Sequence, residues 1–314
     1  MPGFLHNHKN FKDLLFILEQ EKEIVPALLE KDYWIMHVLY GLQKAGYSFE
    51  LKGGTSLSKG FGIINRFSED IDIRINPPSE LHVNEAGSKK SHIASRFEFY
   101  DWLSLNLSIE GIVEVERDHN FDSKNGMSGG IRLLYDSVTE KVEGLKSGIL
   151  LEVGFDQITP NIPVDISSWA LDRAISSANL TFKNNTAKAV MCYDMRYTFV
   201  EKLQTILTKF RQEEEDGIQR KNYMRQYYDV YCLLQQKEVQ DFLHTEEYSR
   251  HKGKRFPAKD KAISITDNEA FLLSSNEKRM QFEKRYYETK SLYYLGQPSF
   301  DEILNTIHTW LKYL

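Results

Sequence analysis

Lys52-Gly53-Gly54-Thr55-Ser56-Leu57-Ser58-Lys59, followed by Arg66-Phe67-Ser68-Glu69-Asp70-Ile71-Asp72-Ile73, decides how the rest of the chain is read. Leu51 to Gly54 reads as a short strand running into a Gly-Gly turn. Glycine admits positive φ and lets a ligand come close to the backbone. Thr55 to Gly60 then opens a helix, whose free N–H groups and positive dipole end suit an anion. Thr55 and Ser56 add hydroxyl donors, and Lys59 adds a compact positive charge for phosphate.

Asp70 and Asp72 alternate with isoleucine in Ile71-Asp72-Ile73-Arg74-Ile75. A period of two predicts a strand with both carboxylates on one face and the isoleucines toward a core. Carboxylates side by side repel unless a cation lies between them. Hard oxygens beside a phosphate site favour Mg2+, which takes carboxylates together with substrate phosphates. A pair of such ions serves an in-line attack at phosphorus. Gly-Gly alone marks only a turn, and Asp-x-Asp alone a solvated strand face. In this order they read as a phosphate cradle leading into a metal-binding strand.

Gly53-Gly54-Thr55-Ser56-Leu57 with Ser68-Glu69-Asp70-Ile71-Asp72 resembles the signature of the polymerase-β-type nucleotidyltransferases. Within that superfamily the chain is most similar to the AbiEii/AbiGii toxins, including the MenT-like tRNA nucleotidyltransferases. Glu30-Lys31-Asp32-Tyr33 before an apolar helix extends the match. Glu30-Lys31-Asp32 is either a solvated helix face or, as the resemblance implies for Lys31 and Asp32, part of the site lining. Glu201-Lys202-Leu203 resembles the family helix whose lysine holds nucleotide phosphates, which gives Lys202 that role. Tyr227-Tyr228-Asp229-Val230-Tyr231 resembles a helix whose aspartate is functional, here Asp229, with Val230 where leucine is common. The resemblance also implies that Ser68, close to the metals, is a possible control point through modification. It implies a third carboxylate on a strand between apolar residues. Glu152, between Leu151 and Val153, is the candidate, as metal ligand or as base. Asp156 and Asp165 compete with it.

The 314 residues, 41% of them hydrophobic, suffice for one large or two moderate domains. A net charge of −5 excludes a global basic field, so nucleic-acid binding requires a local patch. Two cysteines, Cys192 and Cys232, exclude a disulfide framework and a cysteine-based zinc site, and fit a reducing cytoplasm. No signal peptide is expected, since Met1 to Asn7 lacks a basic region followed by an apolar run, and no membrane span, since no run of ~18 apolar residues occurs.

Along the chain, residues 9–45 predict two helices, with Pro26 in the first turn of the second. Residues 93–110 predict a helix with Phe97, Trp102, Leu103 and Leu105 toward the core, and 111–121 a strand. Residues 130–135 and 148–155 predict an antiparallel pair. Residues 160–190 read as polar helix or loop, which sets a domain boundary near 180. Residues 250–261 are the most basic window and carry Phe256, a combination suited to an RNA backbone and a splayed base.

The expectation is therefore an α/β (α+β) protein. Residues 1–180 form a nucleotidyltransferase fold with a mixed sheet flanked by helices. Residues 181–314 form a mainly helical domain that completes the nucleotide and RNA cleft. Asp70, Asp72 and Glu152 hold Mg2+, and Gly53, Gly54, Thr55, Ser56, Lys59, Ser68 and Lys202 surround the NTP. The resemblance implies transfer of NMP to a tRNA 3′ end and a cognate antitoxin that binds or modifies the enzyme. The alternatives are the same chemistry on a small-molecule or protein hydroxyl, and a nucleotide- or RNA-binding protein without catalysis.

Overall fold

Ile71, Ile73 and Ile75 are fully buried, while Asp70, Asp72 and Arg74 between them stay partly exposed. That alternation makes Asp70–Ile75 a strand with one wet face. The computed structural model describes residues 2–142, 145–177 and 181–314. Its strands are β1 (Phe49–Lys52), β2 (Asp70–Ile75), β3 (Ile112–Asp118), β4 (Ser128–Tyr135), β5 (Ile149–Gly154), β6 (Asn161–Ile166) and β7 (Ala187–Tyr193). Among the described residues they form one mixed sheet in the order β3-β4-β5-β2-β1-β7-β6. β2 runs antiparallel to β1 and parallel to β5. The expected antiparallel pair is β4 with β5.

By contacts the chain divides into two units. The first comprises Met1–Phe61 and Ser68–Tyr193, and the second comprises Gly62–Phe67 and Asp194–Leu314. The sheet and helices α1 (Phe11–Lys22), α2 (Pro26–Lys44), α3 (Gly53–Thr55), α4 (Lys90–Asn106) and α5 (Trp169–Ile175) belong to the first. Pro26 begins α2, and nearly every residue from Ala27 to Leu39 is buried, Glu30, Lys31 and Asp32 included. A solvated face for that acidic-basic trio is thus excluded. The second unit holds α6 (Met195–Asp216), α7 (Met224–Leu234), α8 (Lys237–Phe242), α9 (Glu246–Arg255), α10 (Glu269–Leu272), α11 (Asn276–Tyr287) and α12 (Phe300–Trp310). Its core joins Leu203, Ile206 and Leu207 with Tyr227, Leu233, Phe300 and Ile303.

Three expectations change. In α4 the core face is Arg96, Phe99, Tyr100 and Leu103, whereas Leu105 is 85% exposed. Arg96 earns its burial by donating to the carbonyls of Asn84, Gly87 and Asn125. Residues 160–190 are not polar helix or loop throughout, since β6, α5 and the start of β7 lie there. The boundary near 180 falls on residues outside those described, and the contact division comes at Tyr193 and Asp194. Phe256 is 4% exposed and unavailable to a base. In the same window Arg255 pairs with Glu201 at 3.1 Å, Lys259 with Glu215 at 3.6 Å, and Lys252 donates to the Leu314 carbonyl.

Ile73→Ala should lower the free energy of unfolding by about 2–5 kcal/mol through the cavity it leaves in β2. Leu105→Ala should change it by less than about 0.5 kcal/mol. Urea denaturation of both variants checks this, and a comparable loss at Leu105 would contradict the assigned face of α4.

Candidate active site

Sheet register assembles the carboxylates. Asp72 is paired with Lys52 on β1 and with Glu152 on β5, so Lys52, Asp72 and Glu152 form one row across three strands. Asp70 lies two residues back on β2, on the same face by the strand period. Burial pushes the Glu152 carboxyl up, and Asp72 and then Asp70 push it further against the pull of Lys52, to about 7. Asp156 follows the end of β5 and lies 3.7 Å from the Lys52 ammonium. Asp165 lies on the edge strand β6, where it accepts from Lys188 at 2.8 Å and from the Ala189 N–H at 2.9 Å. Of the three competing carboxylates, the register brings Glu152 to Asp72.

The Gly-Gly turn is fitted against this row. Gly53 has φ +71°, and a Cβ there would stand 2.0 Å from Asp72 Oδ2. Only glycine meets both conditions. After α3, residues Ser56–Gly60 wind wider, closed by the Phe61 N–H on the Ser56 carbonyl at 3.0 Å. The Thr55 hydroxyl, fully buried, donates to the Asp70 carbonyl and ties the turn to β2. Ser56 is also fully buried, against the Cys192 thiol. Gly54 is buried, and Ser68 is half-buried ahead of Asp70. The Lys59 ammonium lies 2.6 Å from Asp32 Oδ1 and 5.3 Å from the Trp169 ring centre. Asp32 is held in turn by the Trp169 N–H at 2.9 Å. Lys31 lies 3.6 Å from Glu69 and donates to the Lys146 carbonyl at 2.7 Å. Lys31 and Asp32 therefore reach the motif through Glu69 and Lys59.

Lys202 and Asp229 belong to the second unit. Asp229 is fully buried, and its two oxygens accept from Arg66 Nε and Nη2, each at 2.7 Å. Lys202 Nζ shares Oδ2 at 2.9 Å. Burial pushes the Asp229 carboxyl up, but Arg66 and then Lys202 pull it further down, so it ends below the usual carboxylate range. This is a forked, charge-assisted pair. Sequence reasoning gave no role to Arg66, Lys52, Glu69 or Lys146. Arg66 stands within the quoted motif, but its partner is far along the chain, and no local signal marks such a pair.

The donor set suits Mg2+ in kind, being carboxylate oxygens beside a glycine turn. Among the described residues no group of three His, Cys, Asp or Glu is gathered closely enough to hold a metal unaided. Mg2+ characteristically completes its shell with substrate phosphates and water, so a pair of carboxylates fits it without a closed cage.

A family model described as the nucleotidyl transferase AbiEii toxin of type IV toxin–antitoxin systems matches residues 37–306. Among solved structures, the chain is similar to an antigenic nucleotidyltransferase-like protein from Paracoccidioides brasiliensis. The two share 13% identity at a TM-score of 0.32, over 73% of this chain and 95% of that one. No curated protein matches.

Glu152 makes the metal-free protein pH-sensitive. Its carboxyl titrates near 7 in the folded state against an ordinary 4.5, so the folded protein retains a proton that the unfolded chain has lost in between. Its contribution is neutral below the lower value and unfavourable above the upper one. Calorimetry in EDTA should show Glu152→Gln more stable than wild type at pH 8, with that advantage shrinking toward pH 5. An equal difference at both pH values would contradict the environment described for Glu152.

Proposed function

The chain belongs to the AbiEii family of nucleotidyl transferase toxins and is a nucleotidyltransferase, and from that premise we propose that it transfers NMP from an NTP to the 3′ hydroxyl of tRNA with Mg2+. The family implies an NTP substrate and an antitoxin partner. The observation that carries the catalytic reading is the row Lys52–Asp72–Glu152 with Gly53 pressed against Asp72. Asp70 and Asp72 are the residues that would hold Mg2+, with Glu152 beside them. When bound, the ion supplies positive charge against the α-phosphate and the leaving pyrophosphate.

The chain's own groups do the rest. Backbone N–H groups at Gly53 and Gly54 cradle phosphate oxygens, because a glycine turn lets them approach. Thr55 fixes that turn to β2 through the Asp70 carbonyl. Lys59, neutralised by Asp32 and packed on Trp169, sets the turn's far end. Lys202 binds phosphate, as the resemblance implies, and Asp229 with Arg66 fixes the direction of its ammonium. Glu152 acts as the base for the attacking hydroxyl, a role supported by its position opposite Asp72 and its raised carboxyl. The reaction then rests on positioning and preorganised charge.

Support for tRNA comes from the similarity to MenT-like enzymes, and for a cytoplasmic setting from two free, buried cysteines. Among the described residues no helix is long and apolar enough to cross a membrane.

Purified protein, Mg2+, total bacterial tRNA and each labelled NTP in turn test the proposal. Wild type should label tRNA with at least one NTP, and Asp70→Ala or Asp72→Ala should cut the rate at least about a hundredfold. Bound NTP without labelled tRNA would remove this acceptor and direct the search to small-molecule and protein hydroxyls.

A further inference from the structure

Glu30, Lys31 and Glu69 are three charged side chains at 1%, 1% and 8% exposure. Burying charge is costly unless each group is paired and hydrogen-bonded. Their hydrogen bonds converge on one feature, the described part of the loop between β4 and β5. Glu30 accepts from the Ser137 hydroxyl at 2.7 Å, the Val138 N–H at 2.9 Å and the Thr139 hydroxyl at 2.6 Å. Glu69 accepts from the Lys146 N–H at 3.3 Å, and Lys31 donates to the Lys146 carbonyl at 2.7 Å. Lys146 is thus fixed at both of its backbone polar groups, by two residues that also pair with each other.

The side chain so delivered reaches Asp70. Lys146 Nζ lies 3.1 Å from Oδ2 and 3.4 Å from Oδ1, and 5.1 Å from the Phe121 ring centre. It covers both oxygens of the carboxylate. A divalent cation on Asp70 requires at least one of them, and an ammonium beside that cation would be repelled. The backbone anchors keep Lys146 at the site while its flexible stem lets the head group turn. The anion next to a cation bound on Asp70 is a polyphosphate.

We propose that Lys146 is an exchangeable counter-ion: it neutralises Asp70 in the metal-free protein, yields that carboxylate to the divalent ion, and then binds a phosphate of the incoming nucleotide. This rests on the metal reading of Asp70 given above. Lys146 is by this account a substrate-binding residue, and it competes with the metal until the substrate arrives.

Calorimetric titration of the full chain separates the two halves. Manganese alone should bind Lys146→Gln more tightly than wild type, on the order of threefold, because a competing cation is gone. With manganese saturating, inorganic triphosphate should bind Lys146→Gln more weakly, by about tenfold, because a charge-assisted contact is lost. Lys146→Arg, which keeps the charge, should lie close to wild type in both titrations. A residue that only held the loop in place would not tighten metal binding when removed. Equal or weaker manganese binding by Lys146→Gln, or unchanged triphosphate binding, would overturn the proposal while leaving the metal site intact. Manganese binding by neither protein would overturn both this inference and the metal reading beneath it.

Discussion

Carboxylates on one face of neighbouring strands repel one another, and the first unit is arranged around that repulsion. Asp70, Asp72 and Glu152 are brought together by strand register, which no local rearrangement can relieve. Cations reach them from two directions. Lys52 stands opposite Asp72 on β1, and Lys146 comes from the loop before β5 to Asp70. Glu152 absorbs what remains by holding its proton to about pH 7. On the proposed reading, a divalent cation bound there relieves an existing strain of charge.

The glycine turn and the buried charges of α2 serve the same cluster. Gly53 has no side chain because Asp72 stands where one would be, so the glycine turn and the carboxylate row cannot be separated. Glu30, Lys31 and Asp32 are successive residues on a helix with almost no exposed surface, and each reaches a different part of the site region. Glu30 holds the loop, Lys31 holds Glu69 and Lys146, and Asp32 holds Lys59. In the second unit Asp229 does for Lys202 and Arg66 what Asp32 does for Lys59, with a fully buried carboxylate fixing cations.

The parts legible in the sequence are those with a local signal. Ile71, Ile73 and Ile75 alternate with Asp70, Asp72 and Arg74, so the strand and its wet face follow from the period. Pro26 announces α2. The Gly-Gly turn before this strand is legible for the same reason. The face of α4 is not legible in the pattern, because its core contains Arg96, buried on backbone carbonyls, while Leu105 points to water. β6 reads as loop in the sequence because an edge strand can carry Pro163 and Asp165. Glu152 is suggested by the resemblance, between its apolar neighbours, and only the sheet register shows that it stands beside Asp72. The pairings Arg66–Asp229 and Lys146–Asp70 join residues far apart in the chain, and residue type and spacing carry no trace of them.

The most direct test of the central claim is a crystal structure with Mn2+ and a non-hydrolysable NTP, with the metal located by its anomalous scattering. A peak is expected about 2.1 Å from carboxylate oxygens of both Asp70 and Asp72, shared with phosphate oxygens of the nucleotide. A nucleotide bound with its phosphates elsewhere, or a metal ligated without Asp70 and Asp72, would contradict it.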